Sequence, residues 1–370
     1  MQKMQPIFES YEAAKAAGKQ VALATVVRVV GSAYRRPGAK MLVTEDGESF
    51  GSVSGGCLEK DVVLRSAEII REGSSALLQY GMSGSDDDFI FGVGAGCNGR
   101  VDILVEPDCT FERLDPISFD RDCLRKRETG VIATVFAVDG AARSCLSERV
   151  AFRSADPSRS SFNNADLAQS VVSASLDAFS EKRSISRRFS NDEGAIEVFM
   201  EVVQPPIQLV ICGNGHDVVP LVGIARELGW QVKLLDPKVE EVPVDLRFRS
   251  GSRTAVAIMT HNYWHDVKFM RQFLTSDVAY IGLLGPKYRA QKILEEILAT
   301  GPLPDDSQCS KVHAPIGLDI GAEAEAEIAL SIVSEIQSVL HQRFGSSLRH
   351  RDGFIHERVQ RDPDELPCLP

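Results

Sequence analysis

The chain has 370 residues, 44% of them hydrophobic and 25% charged, an ordinary globular composition with length enough for two cores. Its 41 lysines and arginines stand against 52 acidic residues, a formal charge of −11, which excludes broad nucleic-acid binding because that needs a basic face. The polar N-terminus has no apolar signal core and no apolar run reaches a membrane span; the eight cysteines include no C-x-x-C pair, so no zinc ribbon or redox dithiol is expected, and a reducing cytoplasm with free thiols is the simplest setting.

Residues 7–17 read as an opening helix. Val21 to Val30 is nearly all apolar and rich in β-branched side chains, the pattern of a buried strand. Gly31-Ser32-Ala33-Tyr34-Arg35-Arg36-Pro37-Gly38 follows as a loop. Its Arg35 and Arg36 suit a phosphate or carboxylate, although arginine pairs in loops are more often only solvated. Lys40 to Thr44 and Ser49 to Val53 predict strands around the turn Glu45-Asp46-Gly47. Then comes Gly51-Ser52-Val53-Ser54-Gly55-Gly56-Cys57-Leu58-Glu59. Leu58, Val62 and Ile69, with Val63, Ala67 and Ile70, recur at helical spacing, so a helix is expected over Cys57 to Arg71. That puts Cys57 near a helix start, where outward N–H groups and the dipole favour an anion or a thiolate. Gly55 and Gly56, after Ser54, let backbone approach a ligand. The competing reading is a tight turn holding an inert cysteine, and on this stretch alone the two readings weigh the same.

Ser75 to Tyr80 predicts a strand. Asp86-Asp87-Asp88 is a short acidic run, ordinarily a solvated loop. Phe91-Gly92-Val93-Gly94-Ala95-Gly96-Cys97-Asn98-Gly99 then surrounds a second cysteine with glycines, whose backbone N–H nests can cradle anions. Arg100 to Glu106 reads as a strand, 119–128 as a helix, 130–138 as a strand, 154–165 as a surface loop, 167–179 as a helix and 195–203 as a strand. Gln204-Pro205-Pro206 cannot continue a central strand and marks a domain boundary. The expected organisation is a first domain over 1–204, a second over 205–345 and a polar tail over 346–370.

In the second domain Ile207 to Cys212 is an apolar strand, and Gly213-Asn214-Gly215-His216-Asp217-Val218 opens a helix through Leu228. The next strand, Val232 to Leu235, ends in Asp236, placed for ribose hydroxyls. This is close to the dinucleotide-binding fingerprint and departs from it at Val218, where the third glycine belongs. Strands and helices keep alternating to about residue 342, which implies a parallel sheet covered on both faces. The loops Thr260-His261-Asn262 and Gly285-Pro286-Lys287-Tyr288-Arg289 sit at strand ends, the ligand-binding edge of such sheets. Gly213, Gly215, His216, Asp236, His261 and Lys287 are therefore candidate nucleotide contacts. His261 and His265 are four apart but lack the glutamate of a zinc-protease helix, which disfavours metal there. The fold class is α/β, an N-terminal mixed α/β domain followed by a Rossmann-like parallel-sheet domain.

Taken together, these stretches resemble the xanthine dehydrogenase accessory family (XdhC/CoxI). The resemblance is carried by Gly31-Ser32 with Arg35 and Gly38, Met41-Leu42-Val43, Gly51 to Glu59, Phe91-Gly92 and Gly96-Cys97-Asn98-Gly99. In the second half it is carried by Gly213-x-Gly215-His216, Thr260-His261, Ile281-Gly282 and Ala314-Pro315-Ile316-Gly317-Leu318-Asp319-Ile320-Gly321. It spans the chain apart from the tail and about residues 108–199. It implies a cytoplasmic maturation factor for molybdenum hydroxylases, a cofactor-binding chaperone rather than a turnover enzyme. Such a factor binds molybdenum cofactor, assists its sulfuration with a cysteine desulfurase as sulfur source, and inserts it into the apoenzyme. Cys57 and Cys97 carry over as cofactor-site thiols, a soft ligand or a sulfur relay. Arg35, Arg36, Ser54, Gly55, Gly56 and Gly96 suit its phosphate and oxo groups. A homo-oligomer fits such a role, and NAD(P) or another adenine nucleotide fits the second domain. The rival reading is an NAD(P)-dependent oxidoreductase whose first domain binds a small substrate, and a third is a binding module without chemistry.

Overall fold

The computed structural model describes residues 4–31, 35–81, 99–112, 114–140, 146–154, 156–191, 194–243, 246, 253–300 and 309–351. The chain divides into two compact units, one holding the residues up to Pro205 and the other beginning at Pro206.

The first unit is built on two antiparallel sheets. β1 (Val21–Gly31), β2 (Lys40–Thr44), β3 (Ser49–Gly51), β4 (Ala76–Tyr80) and β5 (Gly99–Pro107) form one, in the order β3-β2-β1-β5-β4. β1 is central and buried along most of its length, so its sequence is a continuous apolar run rather than an alternation. Its side chains still divide by face. Ala22, Ala24 and Val26 cluster with Val62, Ile69 and Ile70 of α2 (Glu59–Glu72). Val21 and Leu23 cluster with Ile7, Phe8 and Tyr11 of α1 (Gln5–Ala16) and with Ile117 and Leu124 of α3 (Pro116–Lys126).

The second sheet holds β6 (Gly130–Gly140), β7 (Arg149–Arg153), β8 (Asp156–Ser160), β9 (Ile185–Asn191) and β10 (Gly194–Val203), in the order β8-β7-β6-β10-β9. Val171, Ala174 and Ala178 of α4 (Ala165–Glu181) cover its inner face. Sequence pattern misses three of these strands. β8 falls inside the stretch expected as a surface loop, and β7 and β9 carry no expectation. β8 and β9 are the two edges, and their proline, arginine and serine suit an edge that must not pair further. β7 opens with Arg149, only 2% exposed, which pairs with buried Glu106 of β5.

The second unit is the expected parallel sheet. β11 (Gln208–Cys212), β12 (Gln231–Leu235), β13 (Thr254–Ile258), β14 (Tyr280–Leu283) and β15 (Val312–His313) run in the order β12-β11-β13-β14-β15 with every pair parallel. Leu209 and Ile211 pack with α5 (Val218–Glu227) and α8 (Glu325–Leu340). Val210 and Cys212, on the opposite face, pack with α6 (Tyr263–Leu274) and α7 (Lys287–Thr300). The chain leaves β11 for β12 on one side and returns to β13 on the other. The loops after β11 and β13 therefore flank the point where strand order reverses, the usual ligand crevice of an open α/β sheet. Among the described residues no helix is long and apolar enough to cross a membrane.

Candidate functional site

In the first unit three motif-bearing stretches reach one end of one sheet. β1 ends at Gly31, which pairs with Gly99 at the start of β5. β2 starts at Lys40, and β3 ends at Gly51 opposite Met41. The Arg35–Gly38 loop, the Ser52–Cys57 turn and the start of β5 thus all lie toward the C-terminal end of β1, with the β1–β5 ribbon running on past β2. Cys97 and Gly96, two and three residues before Gly99, lie outside the described residues, as do Asp86 to Asp88.

The Ser52–Glu59 turn is organised by one carboxylate and one hydroxyl. Ser52 Oγ donates to Glu59 Oε1 at 2.8 Å, Ser54 N donates to the same oxygen at 2.9 Å, and Ser54 Oγ donates to Glu59 Oε2. Ser54 Oγ in turn accepts from Gly56 N at 3.2 Å and Leu58 N at 3.1 Å, with Cys57 Sγ 3.6 Å away. Burial pushes the Glu59 carboxyl up, but these donors outweigh it and hold the group down at about 2, so it stays charged at any working pH. The helix starts at Glu59 rather than at the expected Cys57, and two turn N–H groups are committed to Ser54 instead of facing a ligand. Cys57 is exposed as a free thiol. Gly56 beside it has φ +113° and nothing within 4 Å of where a Cβ would stand. Sequence reasoning gave Glu59 no role; the available signal was an acid in the first helical turn five residues after a serine.

Beneath this end of the sheet lies a buried charge cluster that sequence reasoning missed. Lys40 Nζ sits 2.9 Å from Asp120 Oδ2 of α3 and 2.6 Å from Glu201 Oε2 of β10. Lys40 ties the site's pieces together. Its carbonyl accepts from Ser52 N at 3.0 Å, and its ammonium anchors two other elements. Immediately upstream, Arg36-Pro37-Gly38-Ala39 makes a turn closed by Ala39 N to Arg36 O at 3.1 Å. Pro37 and Gly38, the latter at φ +93°, hold the second and third places that a type II turn asks for. A Cβ on Gly38 would stand 3.3 Å from Glu201 Oε1, so the turn rests on the cluster. Burial, then the charge of Asp120, push the Glu201 carboxyl up to about 7 against the pull of Lys40. Among the described residues, Asp120 Oδ1 is buried without a hydrogen-bond partner, and so is Arg35 Nε in the loop above. Arg36 and Gly55 are exposed.

In the second unit the glycine turn follows β11 as expected, but its space is taken. A Cβ on Gly213, at φ +154°, would stand 2.9 Å from the Met259 carbonyl carbon, so this glycine serves the close approach of two strand ends. A Cβ on Gly215 would overlap Asp217 Oδ1 and stand 3.6 Å from His261 Nε2. Asp217 Oδ2 and His261 Nε2 are 2.9 Å apart, joining the two switch-point loops. Val218, where the third fingerprint glycine belongs, is buried in the core with Leu209, Leu221 and Ala257. Asp236 is exposed at the end of β12, its Oδ1 accepting from Lys238 N at 2.8 Å. His216 and Lys287 are exposed, whereas Arg289 is committed to Asp266, Nε to Oδ2 at 3.1 Å. In the motif Ala314 to Gly321, Ile316 and Gly317 serve packing, while Pro315 and Asp319 to Gly321 are exposed. Ile316 fills the space that a side chain on Gly282 would need, and Gly317 N donates to Glu335 Oε2 at 2.8 Å. Among the described residues no three metal-binding side chains converge.

Comparison with known proteins adds to this geometry. Residues 14–81 match a family model described as the XdhC and CoxI family, and residues 209–336 match one described as the XdhC Rossmann domain. The chain is 30% identical over 335 residues to a probable xanthine dehydrogenase subunit of Bacillus subtilis, covering 86% of this chain and 92% of that protein. It is 24% identical over 333 residues to the molybdenum cofactor insertion chaperone PaoD of Escherichia coli, covering 90% and 87%. A crystal structure described as a xanthine dehydrogenase from Bacillus halodurans superposes with a TM-score of 0.66 at 24% identity, covering 92% of this chain and 98% of that one, and shares its fold.

Proposed function

This chain belongs to the XdhC and CoxI family, and from that premise we propose that it is an accessory protein that carries molybdenum cofactor to a molybdenum hydroxylase. The observation that carries the reading is the exposed Cys57 thiol beside the open backbone of Gly56, at the sheet end that also receives the arginine loop. The cargo presents a phosphate and a metal with soft and oxygen ligands. A thiolate is a soft donor to such a metal. Arg35, whose buried Nε meets no acceptor among the described residues, offers a planar cation for phosphate or oxo groups. Ser54 and Glu59 shape the turn so that the thiol faces outward. Gly55 and Arg36 belong to the same proposed site, and the family resemblance adds Cys97 and Gly96, which lie outside the described residues. Sulfuration of the cargo would draw on a cysteine desulfurase, and transfer requires transient contact with the apoenzyme.

The rival reading, a nicotinamide-dependent oxidoreductase, draws on the Rossmann-type sheet and Asp236, and the filled space over Gly215 weighs against it. The test is co-expression of a molybdenum hydroxylase with and without this chain in a host that makes the cofactor. The active fraction of hydroxylase should rise several-fold with the chain present. An unchanged active fraction, with both proteins soluble, contradicts the proposal.

A further inference from the structure

The glycine turn of the second unit departs from the dinucleotide fingerprint at Val218, yet Val218 is not the residue that closes the phosphate cradle. Val218 points into the core, where it takes no room from the crevice. Asp217 is the residue that matters. It stands immediately before α5, a position where an aspartate usually caps the helix, yet its side chain caps nothing. It turns back over Gly215 and meets His261 instead, Oδ2 to Nε2 at 2.9 Å. In the dinucleotide fingerprint the second glycine is bare so that a pyrophosphate can lie against the backbone there. Here the same surface is covered by a carboxylate of the chain itself.

The loop that supplies the partner is held on both sides. Thr260 Oγ1 accepts from Asn262 N at 3.1 Å, and Asn262 Oδ1 caps α6 through Trp264 N at 3.0 Å and His265 N at 3.2 Å. Between them His261 is left at φ +55°, a left-handed conformation that costs a histidine energy and persists only where its surroundings impose it. The Asp217 side chain is 17% exposed and that of His261 60%, so the pair lies at the surface of the switch-point crevice with the carboxylate on the inner side.

We propose that Asp217 is a specificity determinant that makes this Rossmann-type unit reject dinucleotides, because its carboxylate, pinned by His261, occupies the place of the pyrophosphate over Gly215. Two anions cannot share that space, and the helix start that would attract the pyrophosphate already faces the Asp217 charge. The inference concerns the second unit alone and stands apart from the cofactor-carrier reading.

Calorimetry with NAD at low ionic strength tests it on the full chain. Asp217→Ser removes charge and bulk, and Asp217→Asn removes the charge while keeping the shape. Asp217→Ser should bind NAD at least tenfold more tightly than the parent chain, Asp217→Asn should fall between them, and added salt should narrow the gap. The proposal is overturned if the parent binds NAD as tightly as Asp217→Ser. It is equally overturned if both variants keep the parent's circular dichroism and melting temperature and neither binds NAD.

Discussion

The turn before α2 and the turn before α5 are written in similar letters, glycines at a helix start with an acid close behind, yet they present opposite surfaces. In the first, Glu59 folds inward and is satisfied by Ser52 and Ser54, which leaves Gly56 open and Cys57 exposed. In the second, Asp217 folds back over Gly215, and the Met259 carbonyl closes on Gly213. Glycine therefore signals room, and the neighbouring polar side chain decides who uses it. A serine three residues before the cysteine empties the first turn, and a carboxylate two residues after the glycine fills the second.

The strongest way to break this comparison is to remove the support under the first turn. Lys40→Ala strands Asp120 and Glu201 as buried carboxylates, and losing one partner of such a cluster costs about 3–5 kcal/mol; urea unfolding should read that loss. The same cluster sets a pH dependence. Because the folded Glu201 carboxyl titrates at about 7 rather than 4.5, the folded state holds a proton that the unfolded state has released between those values. Stability should therefore fall as pH rises through that window, and Glu201→Gln should flatten the slope.

Next in size is the contrast between a filled and an open glycine. Gly213→Ala meets both an adverse φ and the Met259 carbonyl, and should cost about 1–3 kcal/mol. Gly56→Ala meets the adverse φ only and should cost less by the same melting assay. A Gly56 variant as damaging as the Gly213 variant would mean that the first turn is packed, not open.

Smaller still is the effect of the hydroxyl that shapes the first turn. Ser54→Ala leaves Gly56 N and Leu58 N without their acceptor and should cost about 1 kcal/mol. It should also change the alkylation rate of Cys57, while the buried Cys123 and Cys212, whose thiols burial pushes up, stay unreactive in the folded chain. An unchanged Cys57 rate would show that Ser54 does not set the thiol's presentation.

Much of the fold was legible because hydrophobic period and glycine punctuation agree with it. The parallel sheet from Gln208 to His313 and helix α2 follow from those patterns alone. The edge strands β8 and β9 were not, since an edge has one neighbour and its sequence is written to repel another. The buried charges were hidden for a related reason. A one-dimensional pattern gives no sign that Lys40 or Arg149 is buried, because their partners Asp120, Glu201 and Glu106 are brought to them by tertiary contacts across the chain. The candidate site was legible at Cys57 and its glycines. It was not legible at Glu59 or Asp217, because which way an acid turns at a helix start depends on the serine or histidine that meets it.

The role of Cys57 in holding the cargo is tested most directly by the molybdenum and pterin content of the chain purified from cells that make the cofactor, with Cys57→Ser and Cys309→Ser beside the parent. Cys309 is also an exposed free thiol and controls for loss of any surface sulfur. The parent and Cys309→Ser should carry both components, and Cys57→Ser, equally folded, should lose most of them. A folded Cys57→Ser chain that carries as much molybdenum and pterin as the parent would contradict that role.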